Sequence, residues 1–169
     1  KDMLLLASSD AKTWTLNKST INIDTLLITL YETYEPVCMK QNLELKLHLS
    51  EESYPAMFTD KDRLFQILCI FMDNAIQHSK NNSLIEIEVI ATEKKIAFSV
   101  VDHGQGISDK DKQYIFDRFY SGDKSHTNKS NFGLGLSIAK ELTQMLNGTI
   151  TINDTVGGGA TFTVKFPLK

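Results

Sequence analysis

Arginine is scarce in this sequence: Arg63 and Arg118 are the only two among 18 basic residues, which face 21 acidic ones. Bidentate binding of an anion by arginine must use one of these two residues, and any other anion contact must come from lysines or backbone groups. The net charge of −3 argues against a general nucleic-acid binder, because such a protein needs basic charge to displace counterions. We therefore expect no nucleic-acid partner.

Cysteines and long apolar runs are also few. Cys38 and Cys69 both lie in apolar stretches, so we expect two buried, reduced thiols. The four histidines are scattered, which argues against a zinc site. The longest apolar run, residues 67–72, falls far short of the roughly 18 residues that cross a bilayer. The chain begins with lysine and has no signal-peptide pattern, so we expect a soluble fragment of a longer protein.

Hydrophobic periodicity predicts mixed secondary structure. Helical spacing predicts a helix capped by Asp24, a long helix that a capping box at Thr59 opens, and helices at residues 110–116 and 134–146. Alternation predicts the strands, at residues 19–24, 43–49, 85–89, 96–100, 149–153 and 160–166. Helices and strands do not alternate strictly, so the prediction is an α+β fold with helices on one face of a mixed sheet. The polar residues 117–131 form a long loop of the kind that often acts as a lid.

Asp102 does not fit simple core packing. It continues the core-facing row of a predicted strand, where a carboxylate is costly to bury unless donors meet it. Gly104 and Gly106 follow, and glycines let backbone approach a ligand closely. This combination suits the amine of adenine, although an aspartate in an ordinary glycine turn explains the segment equally well.

Two further segments stand out. Asn74 lies at the margin of the apolar face of the long helix, with Gln77 and His78 on the same flank. Residues 133–136 (GLGL) begin a helix, where free amides and the helix dipole favour phosphate. Taken singly, a structural asparagine and a flexible loop-to-helix joint remain open alternatives.

Familiar nucleotide motifs are absent from the sequence. The glycine pair at Gly104 and Gly106 is followed by Asp109 where a dinucleotide fingerprint needs its third glycine. There is no P-loop pattern and no protein-kinase set of motifs.

Four segments nevertheless occur together in one order. They are DRLFQILCIFMDNAIQHS (62–79), VDHGQGIS (101–108), IFDRFYSGDKS (115–125) and NFGLGLSIAKEL (131–142). In sequence and spacing they resemble the N box, first glycine box, F box and second glycine box of the catalytic, ATP-binding domain of sensor histidine kinases. GGGATFTVKFPL (157–168) is similar to the last strand pair of that family. The resemblance covers about residues 21–168.

The resemblance implies a Bergerat-type fold: a two-layer sandwich of a mixed sheet of about five strands with three helices on one face. It implies ATP and Mg²⁺ as ligands, with Asn74 coordinating the metal and Asp102 receiving the adenine amine. Arg118 would stabilise charge during transfer, with Lys124 as the nearest further cation. The residues expected to bind nucleotide are Asn74, Gln77, His78, Asp102, Gly104, Gly106, Ile107, Phe116, Gly133, Leu134, Gly135 and Leu136. Phe116 and Phe119 would also anchor the lid to the core.

The sequence departs from the family pattern at Ile70, where the family often has asparagine and hydrolysing relatives have a glutamate base. Isoleucine cannot be a general base, which favours transfer to a histidine over hydrolysis. Gln77 replaces a common phosphate-facing lysine and Ser121 a common arginine, so weaker nucleotide affinity is a hypothesis.

The resemblance also implies domains and partners. Residues 1–18 would be the end of a dimerisation helix and a linker, and residues 19–169 the catalytic domain with a lid at about 117–134. The expected partners are an upstream dimerisation and histidine-phosphotransfer domain and a response-regulator receiver domain, in a homodimeric, membrane-anchored sensor whose catalytic domain is cytoplasmic. Because the four histidines lie inside the domain, we expect no self-phosphorylation by this chain alone. The alternatives are a regulatory nucleotide-binding module with little catalysis and a serine kinase like those that act on anti-sigma systems.

Overall fold

The computed structural model describes residues 15–120 and 134–169. In chain order the elements are β1 (Ser19–Ile21), α1 (Ile23–Lys40), β2 (Glu44–His48), β3 (Met57–Thr59), α2 (Lys61–His78), β4 (Leu84–Ala91), β5 (Lys95–Asp102), α3 (Asp109–Lys112), α4 (Gly135–Met145), β6 (Thr149–Asp154) and β7 (Ala160–Pro167). None of the helices in these ranges is both long enough and apolar enough to cross a membrane.

The main sheet has five strands in the order β2-β4-β5-β7-β6. β2 runs parallel to β4, and the other neighbours are antiparallel, so the sheet is mixed as predicted. β1 and β3 form a separate antiparallel ribbon. β3 was not predicted, because three residues are too few to show an alternating pattern.

Three helices cover one face of the sheet. α1 packs against β2, α2 against β5 and α4 against β6, and α2 lies between the other two helices. The inward row of β5 is fully buried beneath them, at Ile96, Phe98 and Val100. The opposite face carries polar side chains such as Ser99 and Thr163, which bond to each other over 2.8 Å. The predicted α+β, two-layer architecture is confirmed.

The helix starts differ from prediction by one or two residues. Asn22 caps α1 by accepting a hydrogen bond from the Thr25 N–H, and Asp24 lies in the first turn, where a carboxylate favours the helix dipole. α1 then continues through Pro36 to Lys40. Asp60, not Thr59, caps α2, because its carboxylate accepts from two first-turn amides.

Other boundaries are close to the prediction. α3 ends at Lys112 instead of continuing to residue 116, and turns follow it. The helical tail proposed at the start of the chain lies mostly outside the described residues. The division at residues 18 and 19 stays a prediction.

Candidate functional site

Asp102 ends β5 as a buried carboxylate, only 2% exposed. Its Oδ1 accepts hydrogen bonds from the backbone N–H of Gly104 over 3.0 Å and of Ala160 over 3.1 Å. These two donors meet the cost of burying the carboxylate. Among the described residues Oδ2 has no hydrogen-bond partner, so one oxygen fixes the side chain and the other is available to a donor such as an exocyclic amine.

Glycines bring three backbone segments together around Asp102. A methyl group on Gly104 would lie 2.1 Å from the carbonyl oxygen of His78, the last residue of α2. Gly159 has φ +115, and a methyl group there would lie 2.0 Å from the carbonyl oxygen of Asp102. Only glycine fits contacts of this kind, so the end of α2, the loop after β5 and the turn before β7 form one compact wall.

Gly159 and Ala160 were not predicted as site residues. The sequence showed only a glycine-rich turn, residues 156–159, between two strands. The run of three glycines directly before a strand was the available signal. Ala160 offered none, because it acts through its backbone N–H, which nearly every residue possesses.

A half-buried stripe on α2 connects this wall to the start of α4. Ile70, Asn74 and His78 are four residues apart and therefore share one side of the helix. The His78 carbonyl touches Gly104, and a methyl group on Gly135 would lie 3.5 Å from Cγ2 of Ile70. Asn74 lies midway between two ends that are about 12 Å apart along the helix. Gln77 lies on the exposed side of the same turn.

The amide of Asn74 lies on the half-buried stripe of α2. The side chain is half buried and forms no hydrogen bond within residues 15–120 and 134–169. The nearest carboxylate on α2, Asp73, accepts a hydrogen bond from the Tyr34 hydroxyl over 2.8 Å. It is therefore directed toward α1 and leaves the Asn74 side of the helix without that charge.

The start of α4 has no side-chain cap. Gly135 begins the helix, and Leu134 at the cap position provides no side-chain hydrogen bond to the first amides. The first turn carries no acidic residue. Within residues 15–120 and 134–169, orphan N–H groups and the positive end of the helix dipole therefore remain available. Leu134 is buried and Leu136 half buried, which fixes the helix start against the core.

Arg118 lies in the turns that follow α3 and contacts α4 farther along the helix than Gly135. Its Nη2 is 2.8 Å from Oε1 of Glu141, six residues after Gly135 and thus about 9 Å along the axis. The structure therefore brings Arg118 to α4 but pairs it with a carboxylate, and its phosphate contact stays a prediction. Lys124 and Gly133 lie outside the described residues.

The two lid phenylalanines differ. Phe116 is half buried and packs against the core, as expected. Phe119 is 71% exposed, so the prediction that it anchors the lid to the core is wrong for this structure. Its φ of +62 turns the backbone away from helical geometry there. Ile107 is half buried and also packs against the core, beside the glycine loop.

The sequence was compared with known families and curated proteins. The family described as "Histidine kinase-, DNA gyrase B-, and HSP90-like ATPase" matches residues 59–169. Sensor protein CiaH of Streptococcus pneumoniae is 35% identical over 142 residues, covering 83% of this chain and 32% of CiaH. Sensor histidine kinase WalK of Bacillus subtilis is 33% identical, covering 99% of this chain and 28% of WalK. The chain thus spans about a third of the length of such relatives.

Solved structures agree with this assignment. Full-length ShkA in complex with AMPPNP superposes with a TM-score of 0.85 at 27% identity, covering 97% of this chain and 34% of that chain. Histidine kinase ThkA, solved with the response regulator protein TrrA, has the same fold, with a TM-score of 0.80 at 22% identity over 99% of this chain and 46% of that one. The fold and these matches indicate one family. The chain belongs to the histidine kinase-, DNA gyrase B- and HSP90-like ATPases and, among them, to the ATP-binding catalytic domains of sensor histidine kinases.

Proposed function

We propose that this domain binds ATP with its base at Asp102 and its phosphates at the start of α4, and that it transfers the γ-phosphoryl group to a histidine outside this chain. The observation that carries the proposal is the free Oδ2 of Asp102 at one end of the α2 stripe and the uncapped amides of α4 at the other. The residues of the α2 stripe next to these two groups, His78 and Ile70, are about 12 Å apart along the helix, a span that suits an extended nucleotide.

Asn74 is the residue proposed to hold Mg²⁺. A hard cation takes oxygen ligands and keeps several waters, and a half-buried amide oxygen without a protein partner among the described residues fits that requirement. Bound Mg²⁺ would neutralise charge on the phosphate oxygens. The amides at the start of α4 would orient the same oxygens from the other side.

Phosphoryl transfer is favoured over hydrolysis by Ile70. Ile70 lies one helical turn before Asn74, at the position where hydrolysing relatives have a glutamate that activates water. An aliphatic side chain cannot remove a proton from water. Asp73 cannot substitute, because it is bonded to Tyr34 on the far side of α2. The nucleophile is then a histidine that docks against the site.

The partners proposed for the whole protein follow from the relatives, which are named as sensor proteins and sensor histidine kinases. They are an upstream dimerisation domain that carries the acceptor histidine, a second copy of the protein, and the receiver domain of a response regulator. We propose that the domain works on the cytoplasmic side of a membrane-anchored sensor.

The second candidate is a regulatory nucleotide-binding module with little catalysis. Ile70 favours it, because an aliphatic side chain beside Gly135 removes an oxygen from the region where the metal is proposed to bind. The serine-kinase alternative is disfavoured by the F box, whose RFYSGDKS segment resembles the histidine kinases instead.

Three measurements test the proposal. Calorimetric titration of the 169-residue chain with Mg-AMPPNP should show one site, and Asn74→Asp should abolish labelled phosphate transfer in the intact kinase. Labelled phosphate from γ-labelled ATP should not accumulate on the 169-residue chain alone. Nucleotide binding without transfer in the intact kinase and its receiver would favour the regulatory module. No binding at all would refute both candidates.

A further inference from the structure

His48, Glu86 and Glu88 converge on the face of the sheet opposite the helices. His48 and Glu88 are direct register partners on the parallel strands β2 and β4, and Glu86 is two positions before Glu88 on the same face. One ligating atom from each of the three residues lies within 4.8 Å of the others. The three side chains come from paired strands, so their backbone positions are fixed by the sheet.

The Glu86 carboxylate is held from both sides. Its Oε1 is 3.0 Å from Nε2 of His48, and its Oε2 is 3.0 Å from Nε2 of His103, which follows directly after β5. The side chain is only 18% exposed. An oriented carboxylate therefore lies between two imidazoles.

We propose that His48, Glu86 and Glu88 form a binding site for a borderline divalent transition metal, with zinc the best fit, and that His103 orients Glu86 from behind. One imidazole nitrogen and two carboxylate oxygens, completed by water, form a donor set that zinc accepts. Imidazole favours zinc, copper or nickel over Mg²⁺ or Ca²⁺, which prefer oxygen alone. A ligating carboxylate commonly accepts a hydrogen bond on its other oxygen, which is the position of His103.

The geometry and charge agree with that donor set. Zinc with bonds of about 2.0–2.1 Å in tetrahedral geometry places neighbouring ligand atoms about 3.3 Å apart. His48 Nε2 and Glu86 Oε1 are 3.0 Å apart, and zinc would displace the proton between them. The three ligand atoms lie within 4.8 Å of one another and would move to this common spacing. Lys46, the register partner of Glu86, forms its ion pair with Glu44 instead, and in the described part of the chain Glu88 has no ion pair of its own.

The sequence argued against a zinc site because its histidines are scattered. His48 and Glu86 are 38 positions apart, and only the parallel pairing of β2 with β4 brings them together. The donors also lie on the solvent face of the sheet, away from the helices and from Asn74. The proposal is therefore independent of the nucleotide site.

Calorimetric titration of the untagged 169-residue chain with zinc chloride tests the proposal. We expect one zinc ion per chain, with affinity lowered more than about tenfold in His48→Ala and in Glu88→Gln, and about tenfold in His103→Ala. Glu32→Gln removes the same charge from an exposed position on α1 and should leave the affinity unchanged. Absence of saturable binding, or equal affinity in Glu88→Gln and Glu32→Gln, would overturn the proposal.

Imidazole NMR provides a second readout that does not depend on affinity. One equivalent of zinc should shift the ring signals of His48 and leave those of His78 in place, because His78 lies on the helical side of the sheet. Zinc-dependent shifts at His78 without shifts at His48 would contradict the assignment. Circular dichroism of each variant establishes that the substitutions at these surface positions leave the fold intact.

Discussion

Oδ1 of Asp102 accepts a hydrogen bond from the backbone N–H of Ala160 over 3.1 Å, although 58 positions separate the two residues. The same oxygen accepts the N–H of Gly104. The carboxylate at the proposed adenine site is thus oriented by both the loop that follows it and the first residue of β7. Its two oxygens have different environments, and this difference makes the site testable by a single-atom change.

Asp102→Asn should weaken Mg-ATP binding by about tenfold or more. The asparagine must keep its carbonyl oxygen toward Gly104 and Ala160, so its NH₂ group faces the adenine amine, and a buried donor without an acceptor costs about 1–3 kcal/mol. Because guanine carries an oxygen where adenine carries its amine, discrimination against GTP should fall. Titrations with both nucleotides measure this. Asp24→Asn, on the exposed first turn of α1, is the control, and equal losses in the two variants would contradict the assignment of Asp102.

Gly159→Ala should destabilise the domain more than Gly158→Ala. Both glycines have φ near the same positive value, +115 and +112, so both substitutions carry backbone strain of about 1–3 kcal/mol. Only at Gly159 does the added methyl collide with backbone, 2.0 Å from the Asp102 carbonyl oxygen, whereas Gly158 faces open space. Urea denaturation compares the two free energies of unfolding. An equal loss would show that the close approach contributes nothing.

Ile70→Asn should strengthen Mg-ATP binding. The new amide would stand one helical turn from Asn74 and beside Gly135, where it adds an oxygen near the proposed metal. Ile70→Val is the matched control, because it removes packing at the same position without adding a polar atom. The prediction fails if the asparagine variant binds Mg-ATP no better than the valine variant.

Arg118→Ala should lower phosphate transfer in the intact kinase by about tenfold or more, because one preorganised donor to a developing charge is commonly worth that much. Stability should change by less than about 1 kcal/mol, since the Arg118–Glu141 pair is partly exposed on both sides. Glu141→Gln removes the competing carboxylate and should preserve or raise transfer. Arg63→Ala tests the other arginine, on α2, and should leave transfer unchanged; a loss there equal to that of Arg118→Ala would argue against a specific role.

Burial raises the pKa of the Cys38 thiol to about 11 from an ordinary value near 9. The folded state therefore keeps a proton that the unfolded state releases, and the free energy of unfolding falls as pH rises from about 9 to 11. Cys38→Ala should lose this part of the pH dependence in denaturation curves. At pH 8 iodoacetamide should modify Cys38 only after unfolding, and rapid modification of the native chain would contradict its burial.

Local patterns in the sequence predicted the main helices and most strands, whereas the sheet of about five strands was implied by the family resemblance. α1, α2 and the β4–β5 hairpin each show a clear period, and Asp102 was conspicuous as a carboxylate in an apolar row. The stripe of Ile70, Asn74 and His78 follows from helical spacing alone. The predicted N-caps, Asp24 and Thr59, are one or two residues from the observed ones, Asn22 and Asp60. All four residues are of types that cap helices, so the sequence alone does not choose between them.

The parts that were missed depend on distant pairing. The role of Ala160 rests on a backbone N–H, and the meeting of His48, Glu86 and His103 rests on the register of three strands. The pairing of Arg118 with Glu141 joins the F box to the middle of α4, 23 positions away. Residue type indicates none of these three contacts without the fold.

β7 is last in the chain yet lies inside the sheet, between β5 and β6. During synthesis, the edge of β5 opposite β4 therefore stays unpaired until β7 has left the ribosome. The Asp102 carboxylate is fully oriented only when that strand closes the gap, so a nascent or truncated domain lacking β7 has helices and a hairpin but no complete adenine pocket. Under the proposed assignment of Asp102, we expect a chain without β7 to bind ATP more weakly than the full domain.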